Sequence, residues 1–248
     1  MCTVIVQVPE TPSGPVRLLA VRDEDPARAW DAPGEWWPEL PGLTGVRDRR
    51  AGGAWLATQD DKLSVILNRA EPGANPGFPT RAWPRSRGGI VLDAAQGSEP
   101  GANPETAPFN LVTVEGSTVT VIRWDGSALA RETLDPGVHM LAHDDVDDPD
   151  TARIAAWLPR FRELTHAAPE RWRDEWISLL ATSAQLPIDD DRAIIRDNTA
   201  HGFPTASLLV CVAEITADPA GPAVSLESAT LGRPAQWDNP EFVSAPLV

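Results

Sequence analysis

The chain opens Met1-Cys2-Thr3-Val4-Ile5-Val6-Gln7-Val8, a thiol set directly before an apolar, β-branched run. Such side chains suit a pleated surface, so residues 2–8 are predicted to form a strand. With Met1 removed, Cys2 becomes the first residue and carries both a sulfur and a free α-amine. An α-amine has a pKa of about 7.7–8.0, so near neutral pH much of it is a usable base. A thiol of pKa about 8.5 beside it can be activated without a separate histidine. A small residue at position 2 also permits methionine removal when the thiol does nothing, so position alone leaves an inert cysteine open.

Val16-Arg17-Leu18-Leu19-Ala20-Val21 predicts a second strand, joined to the first by a turn rich in Pro12, Gly14 and Pro15. It runs straight into Arg22-Asp23-Glu24. Residues 26–50 are dense in Pro, Gly and Trp without a period, which predicts a long ordered loop. Gly52-Gly53-Ala54-Trp55-Leu56-Ala57 starts a strand, Asp60-Asp61 turns it, and Leu63 to Asn68 returns. A polar loop over 70–108 holds Glu-Pro-Gly-Ala-Asn-Pro twice, at 71–76 and 99–104, as repeated turn chemistry, with a short helix expected within 87–96.

A hairpin is predicted from 109–114 and 118–124, with further strands at 128–134 and 138–141. The acidic run 144–150 fits a solvated loop feeding a helix N-terminus better than a cation site. Ile154, Trp157, Leu158, Phe161 and Leu164 make one helical stripe, interrupted by Pro159. A second helix begins near Pro169, with Trp172, Trp176, Ile177 and Leu180 inward. Residues 206–215 and 223–231 close the chain as an antiparallel pair. Strands, then helices, then strands is not a βαβ alternation. The pattern predicts one α+β domain over 1–248, with two antiparallel sheets flanked by helices.

Composition excludes several functions. The 248 residues carry a net charge of −15, which argues against nucleic acid and anionic membrane surfaces as partners. No apolar stretch approaches the ~20 residues of a membrane span, so no membrane insertion is expected. No secretory signal is visible, which predicts a cytoplasmic protein. The two cysteines and four histidines form no zinc pattern, so neither metal nor cofactor is expected. Cys211, inside Leu208-Leu209-Val210-Cys211-Val212, reads as a small core hydrophobe rather than a disulfide partner. His139, His166 and His201 lack a partner pattern and read as structural or surface residues.

Cys2 before a strand, Arg22-Asp23-Glu24 after the next, Arg28, Gly52-Gly53-Ala54-Trp55-Leu56 before a hairpin ending in Asn68, Phe109-Asn110-Leu111, and Leu134 to Leu141 occur in a definite order. This arrangement resembles the transport and Golgi organisation family, whose members begin Met-Cys and carry an Asn-Arg-Asp-Glu signature. The resemblance implies an N-terminal-nucleophile hydrolase fold, a four-layer αββα sandwich of two stacked antiparallel sheets between helices. It implies Cys2 as nucleophile, Arg22 and Asp23 holding the thiolate and the α-amine, and Asn68 positioning substrate or oxyanion. The chain departs from the family at Val21, in place of Asn, at His143, in place of Asn, and at Gly202-Phe203-Pro204-Thr205, where an arginine is usual. His143 is a possible oxyanion donor whose charge would make that role pH-dependent.

Arg22 is a permanent cation suited to a thiolate, and Asp23 can accept from an α-ammonium. A plain salt bridge at a strand end accounts for the pair equally well. Two functions follow. One is a Cys2-dependent hydrolase of a small amide or acyl substrate. The other is a non-catalytic carrier of haem or another hydrophobic ligand, since relatives are linked to haem handling and lipid metabolism. In the second, Trp30, Trp36, Trp37 and Trp83 would line a groove, against core packing and loop anchoring as their alternative. The oligomeric state has no signature in the sequence.

Overall fold

The computed structural model describes residues 2–70, 82–164, 169–216 and 224–247. Among these, the chain forms two antiparallel sheets and three α-helices. The first sheet takes β1 (Thr3–Val8), β2 (Val16–Glu24), β10 (Gly137–Leu141), β11 (Ala206–Ile215), β12 (Val224–Thr230) and β13 (Val243–Ser244), in the order β10-β1-β2-β11-β12-β13. The second is a meander in chain order: β3 (Trp30–Gly34), β4 (Thr44–Asp48), β5 (Ala54–Gln59), β6 (Lys62–Asn68), β7 (Phe109–Glu115), β8 (Thr118–Trp124) and β9 (Leu129–Thr133).

Alternation along β1 and β2 explains the stacking. Val4, Val6, Val8, Leu18 and Ala20 join the large apolar core that also holds Leu56, Leu63, Val65 and Leu67 of the second sheet. Their neighbours Ile5, Leu19 and Val21 point the opposite way, into a separate core under the helices. Val21, at the signature's Asn position, is therefore an ordinary core residue here.

The helices α2 (Ala152–Glu163) and α3 (Trp172–Ser183) cover that outer face. Trp176 meets Phe161 and Trp172 edge-on, each with ring centroids 5.4 Å apart. Pro159 is tolerated inside α2 because it lies on the solvent side, where water can serve the carbonyl it leaves unpaired. On the far side, α1 (Gly88–Ala95) packs on β5 and β6. It comes so near that a Cβ on Gly53 would lie 2.4 Å from the Gly88 carbonyl carbon. Ser64 Oγ on β6 donates to the Val91 carbonyl in the same contact, at 2.8 Å. The layers run helices, sheet, sheet, helix, with the fourth layer reduced to this one short helix.

The segment 26–50, expected as a loop, contains β3 and β4. Pro33 lies inside β3, an edge strand, where a missing N–H costs no ladder bond. Asp31 on β3 is clamped by Arg47 and Arg49, and those ion pairs hold a stretch with little apolar pattern. The first Glu-Pro-Gly-Ala-Asn-Pro copy and His166 lie outside the described residues.

Candidate active site

Register brings the candidate residues together. β1 pairs with β2 through Thr3 and Val21, and with β10 through Val4 and Leu141. Extending both ladders towards the chain start, Cys2 falls between Arg22 on one flank and His143 on the other. The Asp23 N–H donates to Cys2 Sγ at 3.4 Å, and Sγ lies 3.6 Å from the Asp23 carbonyl oxygen. Cys2 is 5% exposed. Burial pushes its thiol up from the ordinary value, and the Asp23 carboxylate adds to the rise. The Asp23 N–H and the Arg22 guanidinium pull the other way without cancelling it. Cys211, deep in β11, is pushed up to about 12 by burial.

Arg22 and Asp23 diverge from one strand to opposite faces. Arg22 Nη2 donates to Glu24 at 3.3 Å, and its guanidinium lies over the Trp30 ring, 5.4 Å from the centroid. Arg22 Nη1 is buried with no partner among the described residues. The Asp23 carboxylate accepts from Ser207 Oγ at 2.6 Å and from Asn198 Nδ2 at 3.0 Å. Asn198 Oδ1 is buried and has no partner among the described residues. Arg153, from α2, donates to Thr3 Oγ1 at 3.0 Å. Burial, the nearby Arg196 charge and an opposing pull from Asp23 leave the Arg153 guanidinium at about 10.

Arg153, Arg196, Asn198 and Ser207 are absent from the sequence-based site. The signal for Arg153 is faint: it lies four residues before Trp157, hence on the buried helical stripe. Arg196 and Asn198 follow the apolar run Ala193-Ile194-Ile195, and nothing local marks them as polar core.

His143 differs from the expected pH-dependent donor. Burial, then the Arg153 charge, lower it to about 4, so it is neutral through the physiological range. Its Nε2 lies 3.2 Å from the Asp144 carboxylate. A carboxylate can only accept there, so Nε2 carries the proton and the buried Nδ1 presents a lone pair. Asn68 ends β6 in the other sheet, exposed, and its side chain makes no hydrogen bond among the described residues. The chain just after it does reach the cluster, since Ala70 N–H donates to the His143 carbonyl at 2.9 Å.

The loop carrying His143 is held by its acids. Arg69 and Arg123 bind Asp145, while Arg162 and His139 bind Asp147. Both His139 nitrogens face acceptors, Asp147 Oδ2 at 2.8 Å and the Asp135 carbonyl at 2.9 Å, a geometry that suits imidazolium. Burial opposes that charge, but the Asp147 and Asp135 bonds together outweigh it and the pKa is raised from 6.5. A raised folded value means stability present in full below the unfolded pKa and lost as pH rises through the folded one. The urea midpoint of wild type over His139→Gln is therefore expected to be larger at pH 6 than at pH 9. An equal difference at both values would remove the charge from this account.

The tryptophans are used in packing. Trp37 is buried and donates to the Gly52 carbonyl at 2.8 Å. Trp36 donates to Ala32 and lies under Arg47, Trp30 lies under Arg22, and Trp83 is near Gly126.

Two stacked antiparallel sheets with helices outside, and the chain's opening residues on a central strand, define the N-terminal-nucleophile hydrolase type of fold. A Caenorhabditis elegans N-acylethanolamine-hydrolyzing acid amidase ortholog, an enzyme of that superfamily, superposes with a TM-score of 0.51. The match covers 90% of this chain and 97% of the other at 9% identity, a likeness of fold. The chain itself belongs to the transport and Golgi organisation 2 (TANGO2) family, matched over residues 1–201. A comparison with curated proteins found no significant match.

Proposed function

We propose that this protein is a cysteine hydrolase of small amides or related acyl compounds, with Cys2 freed as nucleophile by removal of Met1. One observation carries the reading: Cys2 Sγ is hydrogen-bonded to the Asp23 backbone, in a row with Arg22 and His143, with the Asp23 carboxylate held behind it. The fold relative is named for amide hydrolysis, which supports the reaction type.

In the freed form the α-ammonium sits on the residue whose thiol is otherwise held up by burial, and its charge favours the thiolate. Asp23 and Asn198 Oδ1, which has no partner among the described residues, are acceptors suited to that ammonium. The neutral amine takes the thiol proton as Sγ attacks the substrate carbonyl. The carbonyl electron pair moves onto oxygen, and Arg22 Nη1, a buried donor without an acceptor among the described residues, suits that oxyanion. One such donor is worth about 3 kcal/mol in known hydrolases. Collapse breaks the C–N bond, and the leaving nitrogen takes the proton from the α-ammonium. Water then cleaves the thioester, releasing the acid and restoring the thiol.

A panel of small N-acyl amides and aryl esters, followed by amine or phenol release, tests this. Wild type is expected to turn over at least one member, and Cys2→Ala to fall on the order of 10³-fold or more. Equal rates in the two proteins, or no turnover by protein shown to lack Met1, would overturn the proposal.

A further inference from the structure

The bend that leaves β10 is held by the second sheet at four successive residues. Asn110, on β7, donates from Nδ2 to the Ala142 carbonyl at 3.4 Å and to the Asp144 carbonyl at 2.7 Å. The Ala70 N–H donates to the His143 carbonyl between them, at 2.9 Å. Arg69 and Arg123 pair with the Asp145 carboxylate at 2.6 Å and 2.9 Å. Arg69 Nη1 also donates to Asn110 Oδ1 at 3.2 Å, so both ends of that buried amide are used.

Asn110 and Cys2 work on one side of the first sheet. Asn110 is the register partner of Leu67, one of the residues that face β1, so its side chain points between the sheets. Thr3 meets Arg153 of α2 on the helix side, which leaves Cys2 and Val4 facing the second sheet. Val4 pairs with Leu141, so Cys2 comes level with His143, the residue whose two neighbours Asn110 binds. Cross-strand neighbours stand about 5 Å apart. The bend also keeps a cost, since His143 Nδ1 is buried with no partner among the described residues. A free bend would turn that atom to water.

We infer that Asn110 is a positioning residue of the Cys2 site, tying the bend through His143 to the second sheet so that the wall beside the thiol keeps its shape during reaction. The inference rests on the hydrolase reading and adds a residue to it. Asn110 acts through the bend and need not touch substrate. Polar residues that lock a site from behind set its geometry, and small displacements there are costly in rate.

The test compares full-length wild type, Asn110→Leu and Val112→Ala. Leucine keeps the volume and loses every hydrogen bond. Val112→Ala removes buried volume from the same face of β7 without touching the bend, and so reports destabilisation alone. Burial and the Arg153 charge, against Asp144, hold His143 at about 4. Magnetic resonance titration, with His143 assigned from a His143→Gln spectrum, is expected to show Asn110→Leu raising that midpoint by about one pH unit or more as water reaches the ring. Turnover of the N-acyl amide panel should fall about ten- to hundredfold in kcat, with KM changed less. Val112→Ala should move neither. Should the leucine variant not fold, Asn110→Ser, whose hydroxyl is too short to span both carbonyls, is read in the same way. A wild-type midpoint in the Asn110 variant, or an equal shift in Val112→Ala, overturns the inference. Wild-type turnover left unchanged by Asn110→Leu would sink the positioning role and leave the hydrolase. A moved midpoint in a protein that turns over nothing would keep the tie to the bend and sink the hydrolase.

Discussion

Asp23→Ala is expected to lower the free energy of unfolding by about 3–5 kcal/mol, the usual cost of removing one partner from a buried charge cluster. The carboxylate is buried and accepts from Ser207 Oγ and Asn198 Nδ2. Its charge also opposes the burial that pulls Arg153 down to about 10. Without it, Ser207 loses a 2.6 Å acceptor and the buried guanidiniums of Arg22, Arg153 and Arg196 lose the buried carboxylate of their cluster. Asp23→Asn should be milder in volume and keep an acceptor for Ser207, yet still lose the charge. Urea unfolding of the three proteins checks this. A shift below about 1 kcal/mol for Asp23→Ala would mean that water, not Asp23, satisfies the cluster.

Trp176→Ala carries the other large effect, again about 3–5 kcal/mol, from a cavity left by a large buried ring. Trp176 is 1% exposed and stands edge-on to both Phe161 and Trp172, which ties α3 to α2 over the first sheet. Total stability of a domain is about 5–15 kcal/mol, so the loss would be a large fraction of it. Trp176→Phe should recover part through the retained ring contact. Denaturant midpoints and near-ultraviolet circular dichroism give the result. A near-neutral alanine variant would mean that the outer helices contribute little to the fold.

Much of this fold is written in local patterns. The apolar run Val4-Ile5-Val6 marks a strand because its two faces are buried against different layers. The stripe through Ile154, Trp157, Leu158 and Phe161 likewise marks α2, despite Pro159. β3 and β4 escape detection because ion pairs to Asp31, not apolar alternation, hold them. The row around Cys2 is partly legible: Cys2 precedes β1 and Arg22 and Asp23 stand on the neighbouring β2, as the hairpin arithmetic implies. The polar cluster behind it is not. Arg153 comes from α2 and Arg196 and Asn198 from one segment after it, both far along the chain from residue 2, and burial turns ordinary surface residue types into a charged interior.

The central claim is a sulfur and an amine on one residue, poised by its neighbours. Intact mass of the purified protein, followed by a thiol-reactive probe and mapping of the adduct, tests it most directly. The account predicts a mass short of one methionine and a fast adduct on Cys2, absent from Cys2→Ala, with buried Cys211 unlabelled in the folded protein. A chain that keeps Met1, or a Cys2 that reacts no faster than Cys211, would contradict it.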